Sequence, residues 1–131
     1  MKGVRLLLYV ILGIIIAIII YLVYNHFTLK KILTTLSEED FRGGYRKAQL
    51  IDVREPNEFD SGHILGARNI PLSQLKTRMK EIRTDQPVYL YCQSGARSGR
   101  AALILNKAGY KDLYHLEGGF KKWTGKIKMK H

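Results

Sequence analysis

Cysteine, tryptophan and proline are scarce here: one Cys, one Trp and three Pro among 131 residues. The first 37 positions hold no aspartate or glutamate at all. A single thiol excludes an internal disulfide and a multi-thiolate zinc centre. It leaves two readings for Cys92, a packed inert residue or a reactive one. The basic residues form no aromatic-interleaved block and match no nucleic-acid motif. The 22 Lys+Arg against 11 Asp+Glu, net +11, therefore give no expectation of a nucleic-acid partner. There are no internal repeats or low-complexity segments, and no metal or organic cofactor is implied.

The amino-terminal stretch is different in kind. Leu6 to Tyr24 is a run of 19 apolar, aromatic or Gly/Ala residues, 14 of them Leu, Ile or Val. As a helix it would be about 30 Å long, the thickness of a bilayer core. It has no polar face, which argues against a core helix of a soluble domain. A cleaved secretory signal fits less well: the run is long, and Tyr21 to Phe27 contains no A-x-A-like site. Residues 1–29 are therefore expected to form a single transmembrane anchor, and residues 30–131 one soluble domain. Tyr9, Tyr21 and Tyr24 suit the two interfaces. Lys2 and Arg5 on one side nearly balance Lys30, Lys31 and Arg42 on the other, so charge does not set the orientation. From Ser37 onward lie 18 Lys/Arg and all 11 acids, a net charge of +7. That surface suits anionic headgroups.

Past the anchor, Asn25–Leu36 reads as a juxtamembrane connector. Ser37 before Glu38, Glu39 and Asp40 predicts a capped helix ended by Gly43-Gly44. Gln49–Val53 reads as a strand, and Asn57–Asp60 as a helical turn. Gly62, Gly66 and Pro71 punctuate an irregular connection through His63-Ile64. Ser73 is expected to cap a helix with Leu75, Met79 and Ile82 on its core face. Val88–Tyr91 is a buried strand running into Cys92. A helix is expected from Ser98 through Leu105, ended by Gly109. Leu113–Leu116 is a further strand. Phe120 to about Ile127 reads as a last helix, and the Lys121–Lys130 tail as its solvated or lipid-facing end. Alternating strands and helices predict an α/β domain with a mainly parallel sheet flanked by helices.

Cys92 falls where sites form in such sheets, between a strand's C-terminal end and a helix's start. The segment is Cys92-Gln93-Ser94-Gly95-Ala96-Arg97-Ser98. Gly95 permits a tight loop, whose successive N–H groups can converge on one point as an anion nest. The following helix adds its positive end, and Arg97 a permanent charge. All three favour a thiolate, and also a persulfide anion. Packing alone explains such a constellation poorly, which turns the choice towards a reactive thiol.

Four stretches of the chain taken together resemble the rhodanese homology domain along nearly all of residues 37–131. They are Leu50 to Phe59 (LIDVREPNEF), Gly62 to Pro71 (GHILGARNIP), Cys92 to Ser98, and Leu116 to Phe120 with Trp123. Leu65 stands where the family often has proline. The resemblance implies a sheet sandwiched by helices. It implies a sulfurtransferase in which Cys92 takes sulfane sulfur from a small donor such as thiosulfate and passes it to a thiol or cyanide, a covalent ping-pong cycle. Cys92 to Arg97 is six residues, as in the sulfurtransferases. Related phosphatases and arsenate reductases use seven, so oxyanion chemistry is the lesser alternative. A tethered interaction module without catalysis is another. Asp52 and Arg54 are expected as a supporting charge pair, and His63 and His115 as packing residues. Ser98 is expected as an N-cap that reaches the persulfide, and Arg100 as a donor-binding or solvent-facing residue. Glu55 and Glu58 receive no catalytic role. A thiol-regenerated cycle places the domain on the cytoplasmic side of the cell membrane, where the anchor would hold it beside a membrane-bound sulfur-pathway partner.

Overall fold

The computed structural model describes residues 1–129 and divides into two compact units, Met1–Lys31 and Ile32–His131. The first is α1, which runs over Lys2–Ile32 with none of its residues buried. At 31 residues it is about 46 Å long. It is the one helix among the described residues long and apolar enough to cross a membrane. Its many β-branched isoleucines would weaken a helix in water. In lipid a helix satisfies its interior backbone N–H groups within the segment.

The expected connector over Asn25–Leu36 is not what forms. The helix continues to Ile32, and Leu33–Leu36 is a strand, β1. The sequence Leu-Thr-Thr-Leu has the β-branched residues a strand prefers. Leu33 is buried against the sheet, pairing with Leu113 of β6 (Leu113–Leu116).

The second unit is built on five parallel strands in the order β1-β6-β5-β2-β4. Here β2 is Gln49–Asp52, β4 is Arg68–Asn69 and β5 is Val88–Tyr91. The fold class is thus the expected mainly parallel sheet flanked by helices. Ile51, Val53, Leu90 and Tyr91 are fully buried, as expected where helices cover both faces. Ser37 caps α2 (Glu38–Gly44) by accepting from the Asp40 N–H at 3.2 Å. Phe41 of α2 and Tyr45 then pack with Leu50, Ile64, Tyr91 and Leu116, covered by Phe120 and Trp123. Glu55 and Glu58 form a capping box on α3 (Pro56–Ser61), which satisfies two otherwise orphaned donors.

Three local expectations are corrected. Ser73 caps no helix. It lies in a 3-10 turn (Leu72–Gln74) and donates to Glu55 Oε1 at 3.1 Å. The segment beyond it is only one α-turn, α4 (Leu75–Arg78), and another 3-10 turn, although Leu75 is fully buried and Ile82 3% exposed. The connection through His63-Ile64 is more regular than expected: β3 (His63–Ile64) pairs antiparallel with β7 (Ile127–Lys128). That pairing also replaces the last helix. Phe120–Lys122 is a 3-10 turn, Trp123 is extended, and the chain turns back to lay Ile127 beside Ile64. Of the basic tail, Lys130 lies outside the described residues.

Candidate active site

Strand β5 is the middle strand of the five, and Cys92 follows its last residue. The chain then bends at Gly95, whose φ of 118° is a left-handed conformation that side-chain-bearing residues avoid. Helix α5 begins at Ala96 and runs to Lys107. Gly95, rather than Ser98, is therefore its N-cap residue, and the Ser98 hydroxyl lies inside the first turn.

Two backbone donors converge on the sulfur. The Gly95 N–H reaches Cys92 Sγ at 3.0 Å and the Ser98 N–H at 3.3 Å. The Ser98 hydroxyl lies 3.6 Å from the same atom. Main-chain donors fixed by the fold stabilise negative charge on sulfur without reorganising. Cys92 is 1% exposed. An outer sulfur attached to it would extend about 2 Å further along the S–S bond. Gln93 is half-buried, Ser94 and Ala96 are exposed, and Ser98 is buried.

The loop is held from below by the turn after β6. Phe120 N–H donates to the Cys92 carbonyl at 2.8 Å, and Lys121 N–H to the Gln93 carbonyl at 3.2 Å. So close is this approach that a Cβ on Gly119 would sit 2.5 Å from Gln93 O and 2.7 Å from Cys92 O. Only glycine fits, and its φ of 68° is again left-handed.

Asp52 and Arg54 are brought together as expected, and both are buried. Arg54 Nη2 donates to Asp52 Oδ2 at 2.7 Å, and Nε to both carboxylate oxygens at 3.1 Å. Arg54 does more than pair. It donates to the Gly62 carbonyl at 2.7 Å and to Gln93 Oε1 at 3.3 Å. Its guanidinium also lies 4.2 Å from the Phe120 ring centroid. It therefore ties β2, the α3–β3 hinge, the cysteine loop and the Phe120 turn to one cation. Burial opposes that charge, but the Asp52 contacts outweigh it, and Arg54 holds its proton more tightly than usual.

Arg97 is placed otherwise than as a free cation. Its two terminal nitrogens donate to Glu58 Oε1 and Oε2 at 2.6 and 2.9 Å. This two-pronged geometry is the strongest a guanidinium makes with a carboxylate. Sequence reasoning gave Glu58 no catalytic role, and nothing local in α3 announces a partner in α5. Arg97, with smaller help from the Glu55 N–H, lowers the Glu58 carboxyl from 4.5 to about 2. A depressed carboxylate contributes stability that is complete above pH 4.5. That stability is lost as pH falls towards 2. The pair is about one-third exposed, so its contribution is about 1 kcal/mol or less. Glu58→Gln is thus expected to lower the Tm slightly at neutral pH. The gap to the wild type should close in thermal melts as pH falls from about 4.5 to about 2. A gap constant through that window would contradict the pairing.

His63 behaves as a packing residue: its ring stacks on Phe59 at 3.6 Å and its Nδ1 meets the Phe59 carbonyl at 2.8 Å. Arg100 is exposed on the next turn of α5. His115 is not merely packed. Its Nδ1 lies 2.8 Å from Ser98 Oγ and its Nε2 2.9 Å from Thr35 Oγ1. Beside the cysteine loop a cleft of about 470 Å³ opens, lined by Arg54, Asn57, Glu58, Ser61, Gly62, Gln93 and Phe120. No cluster of three or more His, Cys, Asp or Glu that could hold a metal occurs among the described residues.

Comparison with known proteins agrees with this architecture. Residues 36–126 match the family model described as "Rhodanese-like domain". The chain is 68% identical to "Uncharacterized protein YqhL" of Bacillus subtilis (strain 168), over 87% of this chain and 90% of that one. It is 31% identical to "Thiosulfate sulfurtransferase GlpE" of Pseudoalteromonas translucida (strain TAC 125), over 76% of this chain and 89% of that one. Among solved structures, a rhodanese-related protein from Thermoplasma volcanium superposes with a TM-score of 0.67 at 28% identity. The match covers 72% of this chain and 97% of that one. The fold, the matched span and the relatives converge: this chain belongs to the rhodanese-like domain family, which includes sulfurtransferases.

Proposed function

We propose that the protein is a sulfurtransferase that carries sulfane sulfur as a persulfide on Cys92. The observation that carries this reading is the pair of backbone N–H groups aimed at Cys92 Sγ. In the first step the Cys92 thiolate attacks the outer sulfur of a donor such as thiosulfate. An S–S bond to Cys92 forms, the donor's S–S bond breaks, and sulfite leaves with the electron pair. In the second step an acceptor thiolate, or cyanide in vitro, attacks that outer sulfur and Cys92 departs as thiolate. Gln93, Ser94, Gly95, Ala96, Arg97 and Ser98 form the loop that holds the persulfide, with Asp52 and Arg54 supporting it from beneath. The engagement of Arg97 by Glu58 speaks for sulfur rather than a tetrahedral oxyanion as the transferred group, since an oxyanion enzyme needs that guanidinium free.

Thiosulfate and cyanide offered together to the full-length protein in detergent test the cycle. Thiocyanate should form with parallel double-reciprocal lines, the signature of a covalent carrier. No thiocyanate from thiosulfate, 3-mercaptopyruvate or a persulfide donor would instead favour a tethered interaction module. Helix α1 serves as a single-pass anchor in the cell membrane with the catalytic unit on the cytoplasmic side, where thiols regenerate Cys92. The partner this implies is a membrane-bound protein of a sulfur pathway. Release of the full-length protein from membranes without detergent would overturn the anchor.

A further inference from the structure

A line of side chains leads away from the sulfur. It runs from Cys92 to the Ser98 hydroxyl at 3.6 Å, on to His115 Nδ1 at 2.8 Å, and from His115 Nε2 to the Thr35 hydroxyl at 2.9 Å. Three elements supply it. Ser98 comes from the first turn of α5, His115 from β6, and Thr35 from β1, where it is the direct register partner of His115. Nothing in the sulfur cycle as described above uses the imidazole. We propose that His115 is a positioning residue that accepts the proton of Cys92 through Ser98, with Thr35 as the hydrogen-bond partner of its far ring nitrogen.

The hydrogen-bond accounting supports a two-state relay. In the thiol state Cys92 S–H can donate to Ser98 Oγ, and in the Nε2–H tautomer, which both hydroxyls accommodate, Ser98 O–H donates to Nδ1 and Nε2–H to Thr35 Oγ1. Moving one proton at each step gives a thiolate and an imidazolium. Nδ1–H now donates to Ser98 Oγ, and Ser98 O–H donates to the sulfur. The Thr35 bond is unchanged. No bond in the line is lost; two reverse direction, as in hydrogen-bonded side-chain networks generally. Ser98 O–H has one competing acceptor, the Gly95 carbonyl at 3.0 Å. Burial holds the His115 imidazole below the ordinary histidine range, with no charged group contributing. The ring is therefore an acceptor at rest, and the same burial opposes the imidazolium, which forms only beside the thiolate whose charge offsets it. Its neighbours in the sheet are Thr35 of β1 and Leu90 of β5, both uncharged. From α5 it meets Ser98, and the titratable group facing it beyond that hydroxyl is Cys92.

The relay rests on the reading of Cys92 as the sulfur carrier, and it supplies that cycle's missing proton step. The thiol gives its proton to His115 before attack on the donor. When the acceptor has taken the outer sulfur, the released thiolate recovers it.

The test is the pH dependence of Cys92 alkylation by iodoacetamide in the full-length protein in detergent, for wild type, His115→Gln and Thr35→Val. Near pH 6.5 the His115→Gln rate should fall about tenfold, less than a full general base contributes because the two N–H donors remain. Near pH 9.5, where a thiol ionises unaided, the two rates should agree within about twofold. Thr35→Val should move in the same direction by about threefold, and it decides the matter alone if His115→Gln does not fold. Superimposable profiles would overturn the relay, and so would a loss equal at every pH, which marks a purely structural role. Alkylation reads Cys92 whatever its natural reaction. A wild type that takes up no sulfur while showing the predicted profile shift sinks sulfur transfer and keeps the relay. Sulfur uptake with an unmoved profile does the reverse.

Discussion

Cys92→Ser is expected to end sulfur transfer while leaving the fold standing. The loss should be on the order of 10⁶-fold, the size seen when a covalent nucleophile is removed, and in practice below detection. Serine fits the site: its oxygen can accept from the Gly95 and Ser98 N–H groups that now reach Cys92 Sγ, and its hydroxyl can donate to Ser98 Oγ. With every polar group still partnered, stability should change by about 1 kcal/mol. What serine cannot do is form the S–S bond on which the cycle depends. Thiocyanate production together with a denaturation curve checks both halves. Retained turnover in this variant would remove the covalent carrier from the account.

Arg54→Met should be the most destabilising single change near the site. Asp52 is 0% exposed, and Arg54 is its charge partner at 2.7 Å. Methionine fills much of the volume over Phe120 and Tyr91 but leaves a buried carboxylate without its paired cation. Breaking a buried pair from one side costs about 3–5 kcal/mol. The Gly62 carbonyl and the Gln93 side chain lose a donor as well. Asp52→Asn added to Arg54→Met should recover part of the loss, since the stranded charge is then gone. Urea unfolding followed by Trp123, the single tryptophan, measures both variants. A cost for Arg54→Met below about 1 kcal/mol would mean that solvent, not Arg54, satisfies Asp52.

The parallel sheet was readable because its inner strands announce themselves. Leu50-Ile51 and Val88 to Tyr91 are short apolar runs bounded by turn residues, as strands covered on both faces must be. The cysteine loop was readable for a similar reason: strand, Cys92, Gly95, Arg97 and helix are contiguous. Strand β1 was hidden because Leu33 and Leu36 continue the apolar character of α1 without punctuation. The final segment misled because Phe120 and Trp123 have helical spacing. Tertiary demands override it: Phe120 N–H is committed to the Cys92 carbonyl, and Ile127 to a pairing with Ile64. The contacts that organise the site were beyond any local pattern. Arg97–Glu58 and Arg54–Gln93 each join residues 39 apart, and Ser98–His115 residues 17 apart. No periodicity encodes such pairs. His115 looked like one more strand residue until the fold set its ring between Ser98 and Thr35.

The central claim is that Cys92 holds sulfur, and intact-protein mass spectrometry tests it most directly. The full-length protein is treated with thiosulfate or a persulfide donor, stripped of excess reagent and weighed beside the Cys92→Ser variant. The account predicts a gain of one sulfur atom, localised to Cys92, absent from the variant and removed by cyanide or a thiol. An unchanged mass with every donor, or a gain that the Cys92→Ser variant shares, would contradict it.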